Sequence, residues 1–170
     1  MDVDERLKAI PDLDRSKMPG VDQEVADKLF VELLKGGQES ITDLIGRLDA
    51  ADNGSDYRVR FSLHNLAKVV ATPERKSERE MFVKTLLAGL DGSHPAAVAV
   101  FLVQQLQWIA GEAEVGTLLP LLEHEDPRLF DATLATLVVI GKAATAPLQA
   151  AMEKADSHRS AAIESALSQM

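Results

Sequence analysis

Apolar residues recur at three- and four-residue intervals along most of the chain, and period-two alternation is absent. The elements this pattern predicts are amphipathic helices rather than strands. Val25, Leu29, Phe30 and Leu33 form one stripe, closed by Gly36-Gly37, where glycine reaches the left-handed conformation of a helix C-cap. Ile41, Leu44, Ile45 and Leu48 form the next. After a break at Asp52-Asn53-Gly54, Val59, Leu63, Leu66 and Val70 align on a third. Ser77 and Glu80 have capping-box spacing ahead of Phe82, Val83, Leu86, Leu87 and Leu90, and this stripe stops at Asp91-Gly92.

The second half continues in the same way. Ser93-His94-Pro95 opens a segment with Val98, Leu102, Leu106 and Ile109 on one face, and a short one follows with Leu118, Leu121 and Leu122. Asp126-Pro127 is a helix start, since Asp can cap and proline is tolerated at the first helical position. The helix it opens carries Phe130, Leu134, Leu137 and Val138. The last two segments hold Leu148, Ala151 and Met152, then Ala162, Ala166 and Leu167. The pattern predicts about nine helices of roughly 12–16 residues, joined by short turns.

Internal repetition decides how such helices are arranged. Residues 111–126 laid over 141–156 bring Gly111 onto Gly141, Leu118 onto Leu148, Glu123 onto Glu153 and Asp126 onto Asp156, at a constant offset of 30. Ala132 then falls on Ala162 and Leu137 on Leu167. Asp56-Tyr57-Arg58 with Leu66 resembles Asp126-Pro127-Arg128 with Leu137. A helix pair that cannot bury its apolar face alone can stack on copies of itself. The repeats run over about 22–54, 55–93, 94–125 and 126–155, with a cap at 156–170. Together they make one domain, 21–170, preceded by a charged leader or linker at 1–20 that contains Pro11 and Pro19.

The unit Asp126-Pro127-Arg128, Ala132, Leu137, Ile140-Gly141, Ala146-Pro147-Leu148 and Asp156 resembles the short HEAT-like repeat named after phycobilisome lyases. Residues 101–106 with Ile109, Gly111, Val115 and Leu118 are similar to HEAT-repeat proteins of unassigned function from planctomycete-type bacteria. The resemblance implies an all-α, right-handed superhelix of the armadillo/HEAT type: about four helix pairs plus a capping helix, whose second helices line a concave, partner-binding face. Pro120 departs from the pattern. It sits in the middle of a second helix, which it is expected to kink or delay.

Composition narrows function by exclusion. Acids outnumber bases 27 to 18, for a net charge of −9, the wrong sign for gripping phosphates, so no nucleic acid is expected as partner. The longest apolar run, 96–103, is eight residues, so no membrane insertion is expected. There is no cysteine, hence neither disulfide nor thiolate site. The charged N-terminus is no secretory signal. The expectation is a soluble bacterial protein, cytoplasmic as the sequence stands, or exported if it is cut from a longer chain.

No Ser/His/Asp arrangement or phosphate loop is present, and neither a cofactor nor a metal is expected. The one His-Glu pair, His124-Glu125, resembles the iron-binding pairs of deoxyhypusine hydroxylase. The equivalent pair one repeat later is Lys154-Ala155, whereas a metal needs converging ligands. Trp108, the only tryptophan, is expected to pack against a neighbouring repeat. Arg58 and Arg128 share one repeat position and are expected to be structural, tied to carbonyls or to an aspartate such as Asp56 or Asp131, alongside the repeat positions Gly111, Gly141, Asp126 and Asp156.

Charge is uneven along the chain. Residues 91–126 hold six acids and no Lys or Arg, while 61–90 hold five bases against three acids. The expected function is therefore a non-catalytic protein–protein scaffold. Its concave face would carry Arg47, Arg79 and Lys84, passing into an acidic patch at Glu123 and His124. The alternatives are a metal-dependent or lyase-type enzyme on the same solenoid, and a structural spacer within a longer chain.

Overall fold

A computed structural model describes residues 3–10, 23–50 and 55–170, and of residues 23–27 the backbone alone. Among the described residues every regular element is helical, with ten α-helices and three 3₁₀ turns. None of these helices is long and apolar enough to cross a membrane. The chain divides into two compact units, Met1–Gly89 and Leu90–Met170.

The first unit contains α1 (Val3–Lys8), α2 (Gln23–Lys35), α3 (Gly37–Gly46), α4 (Tyr57–Val70) and α5 (Lys76–Ala88). Alternate helices pair: α2 packs on α4 and α3 on α5, while each also touches its neighbour in sequence. The stripes supply the core, with Phe30, Leu33, Ile41, Leu44, Leu63, Leu66 and Phe82 essentially excluded from solvent. Within the segment read as a leader, residues 3–10 pack on this core through Val3, Leu7 and Ile10. The Arg6 guanidinium there donates to the Glu32 carbonyl oxygen at 2.7 Å. Pro11, Pro19 and the break at Asp52-Asn53-Gly54 lie outside the described residues.

Two starts differ from the pattern. The turn between α2 and α3 is made by Gly37, at φ 62°, where a Cβ would clash with its own backbone. Helical structure ahead of α5 begins at a 3₁₀ turn, Pro73–Arg75, so Ser77 lies inside the helix and the Ser77/Glu80 capping box does not form. Proline has no N–H to satisfy and its ring presets a helical φ, so Pro73 takes the first position and moves the start upstream.

The second unit contains α6 (Ala96–Leu106), α7 (Val115–Leu118), α8 (Pro127–Ile140), α9 (Lys142–Met152) and α10 (Ser157–Leu167). The segment expected to be one second helix is broken into three: a 3₁₀ turn at Glu112–Glu114, then α7, then a 3₁₀ stretch at Leu119–Glu123. Pro120 stands in the first turn of the last stretch, where it lacks the N–H that would bond one turn back; Pro147, by contrast, lies within the continuous helix α9. Alternate elements again pair: α6 packs on α8 and α8 on α10, while α7 and the 3₁₀ stretch meet α9. The Thr136 hydroxyl on α8 donates to the Val103 carbonyl oxygen of α6 at 3.3 Å and to the Ala132 carbonyl oxygen at 2.8 Å.

The positions related by the 30-residue offset agree in burial more than in backbone. Leu118 and Leu148 are both fully buried. Asp126 and Asp156 are both N-caps, of α8 and α10. The glycines differ, since Gly141 has φ 83° and ψ −138° while Gly111 is extended at φ −139°. A Cβ at Gly141 would meet nothing closer than the Val139 carbonyl oxygen at 3.9 Å, so the cost of adding one is conformational. Gly141→Ala is expected to destabilise by about 1–2 kcal/mol, and Gly111→Ala to be neutral or stabilising by up to about 0.5 kcal/mol. Denaturant midpoints of the two variants test this, and equal losses would contradict it.

Candidate functional site

The second unit contains a groove of about 780 Å³ between the Leu119–Glu123 stretch and helices α8, α9 and α10. Leu119 and Pro120 form one wall and Pro147, Ala150 and Ala151 the other. Phe130 and Ile163 lie at its base, both almost fully buried. Proline and alanine side chains, Pro120, Pro147, Ala150 and Ala151, supply much of its apolar lining.

Arg159 closes one end. It stands three residues past the Asp156 cap, which accepts hydrogen bonds from the His158 and Arg159 backbone N–H groups at 2.9 and 3.0 Å. Its guanidinium reaches back to donate to the Leu122 carbonyl oxygen at 2.9 Å and the His124 carbonyl oxygen at 2.7 Å. It also lies 5.3 Å from the centre of the Phe130 ring, within cation–π range. One side chain thus ties α10 to the end of the 3₁₀ stretch and to α8.

A second cap stands nearby. Asp126 accepts from the Arg128 backbone N–H at 2.9 Å and from the Arg128 guanidinium at 3.1 and 2.7 Å. The guanidinium above all, and then the backbone N–H, lowers the Asp126 carboxyl to about 2. The Arg159 N–H, followed by the His158 N–H, holds Asp156 below the ordinary aspartate range. A carboxyl depressed in the folded state stabilises fully above its unfolded value and loses that contribution as pH falls through the folded one. Wild-type melting temperature is therefore expected to drop between about pH 4 and pH 2. The drop should be steeper than in Asp126→Asn, which keeps a cap oxygen but no charge; parallel slopes in thermal melts would contradict this.

The residues named from the pattern fall as follows. Arg47 ends α3 in the first unit and pairs with Asp43 at 3.0 Å and with Asp4. Those carboxylates, Asp43 first, raise its already high basicity further. Arg79 and Lys84 both lie on α5, five residues apart and so about 140° apart around the helix; Lys84 is exposed and Arg79 half-buried. Glu123 is exposed and lines the groove. His124, one residue on, accepts the Asp126 N–H through Nδ1 at 3.0 Å and so shapes the turn into α8.

Arg128 holds Asp126 rather than Asp131. Asp56 is buried and is held by Arg60, two residues beyond Arg58, at 2.9 and 2.8 Å. Trp108, expected to pack against a neighbouring repeat, sits in the turn after α6 and is 54% exposed. Among the described residues no three His, Asp or Glu side chains converge in a way that could hold a metal ion.

Arg159 and Arg60 did not emerge from the pattern. Each follows an N-cap aspartate by three or four residues and donates to carbonyls of the preceding segment, Arg60 to the Asp49 carbonyl oxygen at 2.8 Å. An aspartate cap with arginine three or four residues later is the signal that could have found them. No family model matches the chain, and neither does any curated protein or solved structure.

Proposed function

We propose that this chain is a non-catalytic protein-binding module built of stacked HEAT-like helix pairs, and that the groove of the second unit is its partner seat. The observation that carries the reading is the groove itself: an open, apolar concavity between the segments that the 30-residue offset identifies as successive second helices. Supporting it is the pairing of alternate helices in each unit, which is how a repeat buries a face it cannot cover alone. The polar chemistry around the groove is structural. Asp126, Asp156, Arg128, Arg159 and His124 are committed to caps, carbonyls and a turn, which leaves apolar area as what the groove has to offer.

The test is affinity capture by the whole protein from a lysate of its own cells, run in parallel with Ala150→Arg and with the double variant Arg79→Glu/Lys84→Glu. Ala150 is exposed on the groove wall, so the arginine alters the seat and not the core. The reading expects a near-stoichiometric protein that is lost with Ala150→Arg. Retention by Ala150→Arg and loss with the α5 double variant would move the binding face to α5. Capture of nothing by the wild type would count against the module as a binder.

A further inference from the structure

Small-molecule pockets orient their ligands with a few convergent polar groups; of the four charged side chains that line this groove, Arg159 and Asp156 are engaged within the fold, and Glu123 and Lys154 stand exposed. The Arg159 donors are spent on the Leu122 and His124 carbonyl oxygens, and Asp156 accepts two backbone N–H groups. What remains is an open apolar trough with a charged rim, the form that receives the apolar face of an amphipathic helix.

The rim decides which helix. Residues 90–170 hold ten acidic against four basic residues, a net −6 with histidines neutral. Two of the four bases, Arg128 and Arg159, are neutralised by Asp126 and Asp156. Glu123 lines the groove; Glu125 and Glu153 do not line it but lie within two residues of lining positions in sequence, and all three are exposed and make no salt bridge among the described residues. One exposed base, Lys154, also lines the groove, so the three glutamates leave a net negative charge of two around it. Unpaired negative charge around an apolar seat complements a cationic helix and repels an anionic one.

We infer that the groove between the Leu119–Glu123 stretch and α9 binds an amphipathic helix whose polar face carries lysine or arginine. This rests on the protein-binding reading above and adds the class of partner. Leucines at i, i+3, i+4 and i+7 of the guest would lie between Pro120 and Ala150, with its basic residues facing Glu123 and Glu153. Part of the attraction is field-borne, so binding weakens as salt rises.

The experiment uses the whole protein and two fluorescein-labelled synthetic peptides. One is a leucine/lysine amphipathic helix; the other has every lysine replaced by glutamate. Anisotropy titrations are run on the wild type, Ala150→Arg, Glu123→Lys and Val139→Arg. Val139 is exposed on α8 and does not line the groove, so Val139→Arg makes the same charge change elsewhere. The expected result is binding of the lysine peptide about tenfold or more tighter than the glutamate peptide. Ala150→Arg should weaken the lysine peptide by about tenfold or more and Val139→Arg by less than about threefold. Glu123→Lys should narrow the gap between peptides without touching the apolar walls.

Equal weakening by Ala150→Arg and Val139→Arg would overturn the inference, because the attraction would then be diffuse charge. Equal binding of both peptides, lost with Ala150→Arg, would overturn the cationic class while leaving the groove as a protein seat. Binding of neither peptide would also overturn it. So would a wild-type dimer in sedimentation velocity that Ala150→Arg dissociates, since a second copy would then occupy the groove.

Discussion

Truncating Leu118 or Leu148 to alanine is expected to cost about 3 kcal/mol in each case. Both side chains are fully buried, one on α7 and one on α9, at positions the 30-residue offset equates. Each deletion removes apolar contact and leaves a cavity that the surrounding helices only partly fill. The two losses should be similar because the two side chains are equally buried. Leu119, adjacent in sequence and half-exposed on the groove wall, should lose about 1 kcal/mol or less on the same change. Urea unfolding measures all three. A loss below about 1 kcal/mol at Leu118, or a loss at Leu119 as large as at Leu148, would contradict the packing described.

Arg159→Met is expected to cost about 2 kcal/mol, the largest effect of any surface-reaching polar substitution proposed here. Methionine keeps much of the aliphatic stem over Phe130 but gives up both carbonyl hydrogen bonds and the cation–π contact. Arg159→Lys should recover less than half of the loss. An ammonium on a flexible stem does not present the planar fork that reaches the Leu122 and His124 carbonyl oxygens together. Full recovery by lysine would show that charge near the α10 cap matters, rather than the clasp.

The all-helical fold was legible because it rests on local signals. Three-and-four spacing marks the buried faces, and Leu63, Leu102, Leu118 and Leu148 all lie where it puts them. Asp126-Pro127 starts α8 as its chemistry requires. Legibility fails where two local signals compete or where distance in sequence is large. Ser77 and Glu80 have capping-box spacing, but Pro73 starts the helical run upstream and overrides them. At α10 the pattern marks Ala162, Ala166 and Leu167, whereas Ile163 is the large side chain that becomes buried; with so short and alanine-rich a stripe, a shift of one residue is not resolved by periodicity.

The candidate site was less legible still. Its walls come from Pro120 and from Ala150, 30 residues on, and nothing in either stretch alone marks a groove. The Arg159 clasp joins residues 37 and 35 positions apart, and an arginine in the first turn of a helix reads in one dimension as a solvated charge. Glu123 was singled out for its charge and does line the groove. Arg47, Arg79 and Lys84 were singled out by the same reasoning and lie in the other unit.

The central claim is that partner binding occurs in the apolar groove of the second unit. The most direct measurement is a ¹⁵N-HSQC titration of the whole protein with the lysine peptide, residue by residue. Binding there predicts shifts concentrated at the Leu119–Glu123 stretch and at Ala150, Ala151, Lys154 and Arg159. Shifts confined to α5, around Arg79 and Lys84, with those groove amides unmoved, would contradict the claim.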